Sequence, residues 1–346
     1  MAATSFSPTY SGGLNAPANP PAAAGADYEL FLRTFSGEVL ATLRASMVTE
    51  GRFTRKTVPP GANRVQFRQI GTGTAYRHIQ GANILTDNDG ADASALLSQL
   101  NMGDHDVYLD RPLIAATLVD DWESVRSTID ARQAVAKELG KDLAIAIDKD
   151  RLHLVIKAAE GNLLSSHKND ISGWPSSGTV VTDANALTDG SALLDALRQI
   201  EEGMSVANVP EEGRHVALGP VAYNLLVQNQ DLLNRDFNTD NGVFSDGTVF
   251  RAWGMQLHKT TQVPTMAAAG ANPLLTHGVN GETYAQTAAN GVAIVWQEMG
   301  VVTAEASAIS VMSEFRTERQ AQFVLAKATV GHDVLRPDFC GFVKTA

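Results

Sequence analysis

The spacing of hydrophobic residues along this chain changes between the period of a helix and the period of a strand. The first helical pattern predicts an amphipathic helix over residues 28–47, within a region that spans residues 28–49. Its hydrophobic positions are Leu30, Phe31, Phe35, Val39, Leu40 and Leu43. Gly37 interrupts this helical pattern and lowers its helix propensity.

The longest regular pattern predicts one helix over residues 120–161. Asp120 and Glu123 resemble a capping box at its start. The apolar positions recur at spacings of three, four or seven residues and are Trp122, Val125, Ile129, Ala136, Leu139, Leu143, Ile147 and Leu154. A helix of about 40 residues would be about 60 Å long at 1.5 Å per residue. This length exceeds that of most helices in globular proteins.

Helical and strand-like patterns alternate in the second half of the chain, which favours a mixed α/β lobe. A helix is marked by Leu193, Leu197, Ile200 and Met204, and Pro220 stands where another helix would start. Strand-like runs occur at residues 216–218, 249–258, 292–296, 322–330 and 340–344.

A basic stretch precedes the long helix. Residues 51–86 contain no acidic side chain, and their basic residues are Arg52, Arg55, Lys56, Arg64, Arg68 and Arg77. A strand-like piece at residues 64–67 lies near the turn signal Pro59-Pro60-Gly61, which predicts a two-stranded extended loop over residues 50–90. A basic loop on an acidic protein needs a partner.

Composition changes this picture in two respects. The 346 residues are 44% hydrophobic and 19% charged, which is enough to bury a sizeable core and favours two lobes. The 27 basic residues against 38 acidic ones give a net charge of −11, which argues against a dedicated nucleic-acid binder. A wall that surrounds DNA and repels it remains compatible with this charge.

The N-terminal segment is a candidate arm because its first 26 residues are rich in Ala, Pro, Gly and Ser and carry no charge. The sequence shows neither a signal-peptide pattern nor an apolar run long enough for a membrane span. Cys340 is the only cysteine, which excludes an intrachain disulfide and indicates a small buried hydrophobic residue.

Candidate chemistry is sparse. An Asp-His-Asp cluster at residues 104–106 and a His-Asp pair at 332–333 each offer fewer coordinating groups than a metal site ordinarily needs. A calcium-loop start at residues 236–240 lacks the required glycine and glutamate. No phosphate-loop, Gly-x-Ser-x-Gly or His-Glu-x-x-His motif occurs. We therefore predict no catalytic, cofactor-binding or metal-binding residues.

Several segments resemble the major capsid proteins of T-seven-like podophages. Phe-Leu-Arg-Thr-Phe-Ser-Gly-Glu-Val-Leu at residues 31–40, followed by the basic loop and the long helix, is similar to that family. Pro-Glu-Glu-Gly-Arg-His-Val at 210–216, Trp-Gly-Met at 253–255 and Leu-Arg-Pro-Asp-Phe-Cys-Gly-Phe-Val-Lys at 335–344 also fit it. The similarity extends from about residue 28 to residue 344.

The resemblance implies an α+β protein with the Hong Kong phage major-capsid fold. The expected parts are an N-terminal arm (1–27), an N-terminal helix region (28–49), an extended β-hairpin loop (50–90), a peripheral domain (91–164) with a spine helix (120–161), a mixed α/β axial domain (165–310) and a C-terminal return to the peripheral domain (311–346). The core face of the spine helix would consist of Trp122, Val125, Ile129, Leu139, Leu143 and Ile147.

The resemblance also implies a function. The chain would assemble with copies of itself, as hexamers and pentamers, into the icosahedral shell that encloses the double-stranded DNA of a short-tailed phage. Expected partners are a scaffolding protein, a portal at one vertex and a decoration protein, with DNA enclosed without sequence-specific binding and no membrane involved. The protein would be part of the virion after assembly in the host cytoplasm.

Alternatives remain at this point. The six basic loop residues are interpreted as inter-subunit contacts, but they could form a solvated face or a DNA-binding hairpin. The whole chain could also be an encapsulin-type shell protein, or a cytoplasmic α/β enzyme without a recognisable motif. Covalent cross-linking through Lys56 has no further support in the sequence.

Overall fold

The computed structural model combines helices and β-sheets, as the α+β prediction requires. It describes residues 10–12, 47–71, 73, 75, 77, 80, 102–120, 131–163, 175–229, 242–243, 248–249, 251–263, 284, 291–306 and 310–345. Four clusters of buried hydrophobic residues hold these segments together.

Three α-helices occur in the described part of the chain. They are α1 (Ala131–Glu160), α2 (Gly190–Val206) and α3 (Pro220–Gln228). Helix α2 begins after Asp189, whose carboxylate accepts a hydrogen bond of 2.9 Å from the backbone N–H of Ser191. The predicted apolar stripe of α2 is buried, and Pro220 opens α3 as predicted.

The strands are numbered in chain order, and some strands that pair with each other are far apart in the sequence. They are β1 (Tyr10–Gly12), β2 (Thr54–Thr57), β3 (Arg64–Ile70), β4 (Met102–Tyr108), β5 (Leu113–Asp120), β6 (Thr179–Thr182), β7 (Arg214–Leu218), β8 (Gly242–Val243), β9 (Thr248–Val249), β10 (Arg251–Ala252), β11 (Met255–Lys259), β12 (Gly291–Gln297), β13 (Val301–Glu305), β14 (Ser310–Arg316), β15 (Ala321–Ala328), β16 (Val330–Val334) and β17 (Cys340–Lys344). A short 3₁₀ turn at Pro337–Phe339 precedes β17.

A six-stranded sheet with the order β10-β11-β7-β12-β17-β6 forms the larger lobe. Its central strands are buried on both faces, which explains their continuous hydrophobic sequences. Val216 and Leu218 of β7 face the cluster that contains α2 and α3, whereas Ala217 faces the second half of α1. The sheet is therefore a layer between helices.

A four-stranded sheet with the order β1-β5-β15-β14 packs on the first half of α1. Leu139, Leu143 and Ile147 of α1, three of the predicted core-face positions, are buried against this sheet. The 30 described residues of α1 span about 45 Å and reach both sheets.

The extended loop differs from its prediction. The turn at Pro59-Pro60-Gly61 joins β2 to β3, but these two strands do not pair with each other. Instead, β2 pairs with β13 in the sheet β16-β13-β2, and β3 pairs antiparallel with β4. The turn at Pro59-Pro60-Gly61 therefore does not close a two-stranded hairpin, and the antiparallel ribbon of the loop is formed by β3 and β4 instead. The β3–β4 ribbon extends to Tyr108, beyond the predicted end at residue 90.

Several predictions lie outside the described residues. These are the helix over residues 28–46, the arm except for Tyr10–Gly12, and the spine-helix positions Trp122, Val125 and Ile129. Tyr10–Gly12 pair in parallel with β5. Asp120 is the last residue of β5, and the spine helix is described from Ala131 onward.

Candidate inter-subunit surfaces

The β3–β4 ribbon has one buried face and one exposed face. Val65, Phe67 and Gln69 alternate with exposed residues along β3, as expected for a strand packed on one side. The Gln69 side-chain amide donates a hydrogen bond of 3.0 Å to the carbonyl of Leu335. The inner face of the ribbon is thereby fixed to the body of the subunit.

The outer face of the ribbon carries paired charges. An Arg64 guanidinium nitrogen lies 2.8 Å from an Asp106 carboxylate oxygen, and Arg68 Nε lies 4.0 Å from Asp104 Oδ1. Arg68 stands directly opposite Asp104, whereas Asp106 stands opposite Gln66 and reaches Arg64 diagonally across the two strands. The second strand therefore supplies one acidic residue for each arginine of the first, so the paired strands are far less basic than residues 51–86 alone.

Two further basic residues of the loop have partners in the same subunit. Arg55 lies 2.8 Å from a carboxylate oxygen of Glu50 and 3.6 Å from one of Glu305. The Lys56 ammonium donates to the carbonyl of Gln66 at 3.1 Å. These contacts tie the strand before the ribbon to the neighbouring sheet.

Arg68 and Arg77 are the last two basic residues of the extended loop along the chain. The side chain of Arg68 is 90% exposed, and Arg77 is also exposed. At the outer end of the two strands, Ile70 and Met102 face each other across the ribbon, and both are exposed. This end therefore combines positive charge with exposed apolar surface.

A second exposed apolar surface lies on the four-stranded sheet, on the side away from α1. Ile114 and Met312 are exposed there, and Leu118, Phe323 and Leu325 are half-buried. This surface is not among the features predicted from the sequence. The available signal was the continuous apolar run in β5 and β15, because a strand covered on one face only alternates with polar residues.

The segment that leads into the loop is tied to the middle of α1. The buried carboxylate of Asp148 accepts hydrogen bonds from the backbone N–H groups of Val48 (2.8 Å) and Thr49 (3.3 Å) and from the Thr49 hydroxyl (2.5 Å). Arg151 donates to the same hydroxyl at 2.8 Å. Burial raises the pKa of Asp148, whereas these hydrogen bonds and the charge of Arg151 oppose the rise.

A pair of histidines lies at the junction between this segment and the six-stranded sheet. His258 Nε2 is 3.2 Å from His215 Nδ1, and His215 Nε2 is 3.6 Å from Glu298 Oε1. Burial and the nearby charge of Arg52 lower the pKa of His215, and the same causes lower the pKa of His258 to about 4. The partly buried Arg52 donates to the carbonyl of Val48, so its charge is held in place.

These histidines predict a pH dependence of stability. Because the pKa of His258 is about 4 in the folded protein and about 6.5 when unfolded, the unfolded chain binds the proton more strongly. The contribution of neutral His258 to the free energy of unfolding is therefore fully present above about pH 6.5 and declines as the pH falls toward 4. We expect the unassembled protein to lose more unfolding free energy between pH 7 and pH 4.5 than its His258→Gln variant, as measured by urea denaturation. Equal losses in the two proteins would contradict this.

Buried polar residues meet at the base of the ribbon. His105 Nε2 of β4 lies 3.3 Å from Asp333 Oδ2 of β16, and both side chains are almost fully buried. The Tyr284 hydroxyl accepts a hydrogen bond of 3.1 Å from the backbone N–H of His332. The two clusters at residues 104–106 and 332–333 are thus brought together. Within the described residues, no group of three His, Cys, Asp or Glu side chains is arranged to hold a metal ion.

Cys340 is fully buried, and burial raises the pKa of its thiol, which confirms the prediction of a buried hydrophobic residue. Among the described helices, none is long and apolar enough to span a membrane.

Comparison with known proteins identifies the family. Residues 69–344 match the family described as "Gp10A-like: Major capsid protein". The chain belongs to this family of major capsid proteins. It is 25% identical over 339 residues to the major capsid protein of Escherichia phage T7, covering 93% of both chains. It is also 25% identical over 332 residues to the major capsid protein of Enterobacteria phage T3, covering 91% of both.

A solved structure supports the fold of this major capsid protein. The capsid structure of the cyanophage P-SCSP1u matches with a TM-score of 0.69 at 23% identity, covering 87% of this chain and 88% of that one. The predicted family, fold class, shell function and place in the virion are confirmed. Neither the encapsulin-type alternative nor the enzyme alternative is supported, and the family has a structural role.

Proposed function

We propose that the ribbon of one subunit lies against a neighbouring subunit, and that such contacts join hexamers and pentamers into the icosahedral shell. The observation that carries this proposal is the outer end of the ribbon, where exposed Ile70 and Met102 accompany exposed positive charge. An apolar surface of this kind is stabilised when a partner covers it. The outer face of the four-stranded sheet, with Ile114 and Met312, is a suitable apolar partner on the neighbour.

The contacts within the subunit divide the six predicted basic residues into two groups. Arg52, Arg55, Lys56 and Arg64 already contact acidic or carbonyl oxygens of their own chain. Arg68 has only a 4.0 Å pair at a highly exposed position, and Arg77 is exposed. The proposed inter-subunit charges are therefore Arg68 and Arg77. The other four fix the ribbon at the angle from which it reaches the neighbour.

The spine helix is proposed to act as the rigid beam of the subunit. Its second half is buried on nearly all sides against the six-stranded sheet, and its first half packs on the four-stranded sheet. Close packing of this kind resists deformation. The domain boundaries predicted from the sequence remain part of this proposal.

Further partners belong to the same proposal. They are a scaffolding protein during assembly in the host cytoplasm, a portal at one vertex, a decoration protein, and double-stranded DNA held without sequence-specific contacts. The net charge of −11 supports an enclosing wall more than a DNA-binding surface, because DNA affinity depends on neutralising phosphates.

A DNA-binding role for the ribbon is less well supported. Asp104 stands opposite Arg68 and Asp106 contacts Arg64 diagonally, so the paired strands carry as many aspartates as arginines. A surface that tracks phosphates needs an excess of positive charge. The ribbon is therefore better suited to a protein partner.

Charge reversal tests the proposed ribbon contact. We expect the double variant Arg68→Glu/Arg77→Glu to reduce shell yield severalfold at low salt, with a smaller difference at high salt. Each exposed pair contributes at most about 1 kcal/mol, and salt screens it. Shell yield is measured by sedimentation across a salt series and checked by electron microscopy.

A control with the same change in net charge is Lys137→Glu/Lys141→Glu, at two exposed positions of α1. This control separates a specific contact from the general effect of added negative charge. If both double variants assemble with equal yields at every salt concentration, the ribbon arginines do not contribute to the inter-subunit contact.

A further inference from the structure

One edge of the six-stranded sheet ends in a strained hairpin. Strands β10 and β11 are joined by Trp253 and Gly254, whose φ angles are both positive at 51° and 75°. A two-residue turn with two positive φ angles favours Asn-Gly, because asparagine tolerates the left-handed conformation better than residues with large side chains. Tryptophan at the first position therefore opposes the local backbone preference.

The side chain of Trp253 is held in place although it is exposed. Its indole N–H donates a hydrogen bond of 3.1 Å to the carbonyl of Leu194 in α2, and the residue remains 47% exposed. Backbone strain that persists in a folded protein is concentrated at functional positions. Tryptophan is also enriched among the residues that dominate protein interfaces. Trp253 thus has the properties of a preorganised anchor.

The opposite edge of the same sheet carries a different exposed surface. Helix α2 crosses the sheet, because Leu194 lies at the Trp253 hairpin and Gly203 lies against Thr179 of the other edge strand, β6. Val206 ends this helix and is 78% exposed. The five gaps between the six strands place these two edges about 24 Å apart at 4.8 Å per gap.

The two edges have complementary chemistry. Exposed Arg251 stands two residues before Trp253, whereas exposed Glu202 lies one helical turn before Val206 and on the same face of α2. The Trp253 edge thus offers an aromatic side chain beside a cation, and the Val206 edge offers an aliphatic side chain beside a carboxylate that Arg198 of the same helix contacts at 3.5 Å. Like edges would place equal charges together, so an edge fits the opposite edge of another copy better than its own kind.

We infer that the Trp253 hairpin of one subunit docks on the Val206 edge of the next subunit. A head-to-tail contact of this type closes into rings when the rotation between subunits allows it. The partner is a second copy of this chain, since both complementary surfaces belong to one subunit. The inference rests on the proposed assembly into hexamers and pentamers and names a contact that holds such rings.

The substitution Trp253→Asn tests the anchor without weakening the fold. Asparagine suits the turn better than tryptophan, which offsets the loss of the indole hydrogen bond to Leu194, so the unassembled variant is expected to unfold at the same urea concentration as the unchanged protein or at a higher one. Shell assembly is expected to be lost. The control is Met299→Asn, at a residue that is also 47% exposed but lies in the turn between β12 and β13. Assembly of Trp253→Asn with the yield of this control would overturn the inference.

Mixing two variants tests the head-to-tail geometry. Val206→Lys places a positive charge opposite Arg251 of the neighbour, while lysine is favourable near a helix C-terminus. Neither Trp253→Asn nor Val206→Lys alone should form pairs or shells, but each keeps the edge that the other lacks. Their mixture should therefore form pairs and no shells in analytical ultracentrifugation. An absence of pairs, or shells formed by Val206→Lys alone, would overturn the inference. Assembly of the unchanged protein into rings of five and six reports separately on the proposed function.

Discussion

Replacing Gly331 by alanine is expected to abolish shell assembly and to destabilise the subunit strongly. A Cβ at this position would lie 1.9 Å from the carbonyl oxygen of Tyr108 and 3.0 Å from the Cα of Leu109. These are backbone atoms where the ribbon joins the body, so the clash cannot be relieved by a side-chain rotation. We expect the free energy of unfolding to fall by about 3 kcal/mol, which is at the upper end of the range for an overpacked site. We also expect the ribbon to be displaced.

The effect is measured by urea denaturation of the unassembled subunit and by shell yield. Gly219→Ala is a matched control, because Gly219 has φ −65° and nothing lies within 4 Å of the added Cβ. Its stability and assembly should remain close to those of the unchanged protein. If Gly331→Ala behaves like Gly219→Ala, the close approach of the two strands does not position the ribbon.

Replacing Asp148 by alanine is expected to lower the unfolding free energy by about 3 kcal/mol, because buried charged networks are strongly destabilised when one partner is removed. The change would leave the backbone N–H groups of Val48 and Thr49 without their acceptor. It would also remove the carboxylate that stabilises the buried charge of Arg151. The segment that leads into the loop would then lose its attachment to α1.

Two variants refine this measurement. Asp148→Asn keeps an oxygen acceptor and should therefore lose less stability than Asp148→Ala. Asp142→Ala changes an exposed carboxylate on the same helix and should have an effect below about 0.5 kcal/mol. Equal midpoints of urea denaturation for Asp148→Ala and Asp142→Ala would show that the network does not stabilise the fold.

Local sequence patterns were sufficient for elements whose burial follows a single period. The residues Leu193, Leu197 and Ile200 mark one face of α2, and that face is buried against the large sheet. Pro220 opens α3 because a helix tolerates proline at its first position. The strand predicted at residues 292–296 is almost the whole of β12. In each case the chain segment contains the information that determines its own structure.

Long-range partners could not be predicted in the same way. Thr49 and Asp148 are 99 residues apart, and no local pattern marks either one as the partner of the other. The paired strands β3 and β4 are separated by residues 71–101, so the nearer turn at Pro59-Pro60-Gly61 suggested a hairpin that does not form. The positive φ of Trp253 contradicts the preference of its residue type, and a propensity-based prediction fails at such a position.

The helix α1 belongs to the hydrophobic cores of both sheets. Any rotation of one sheet relative to the other must therefore bend or twist this helix and disturb two close-packed interiors. The same chain nevertheless has to fit rings of different curvature if hexamers and pentamers coexist. Such differences in curvature would be absorbed by the ribbon and by the contacts at the sheet edges. The subunit would then adapt at its periphery, while its centre keeps the same structure in both kinds of ring.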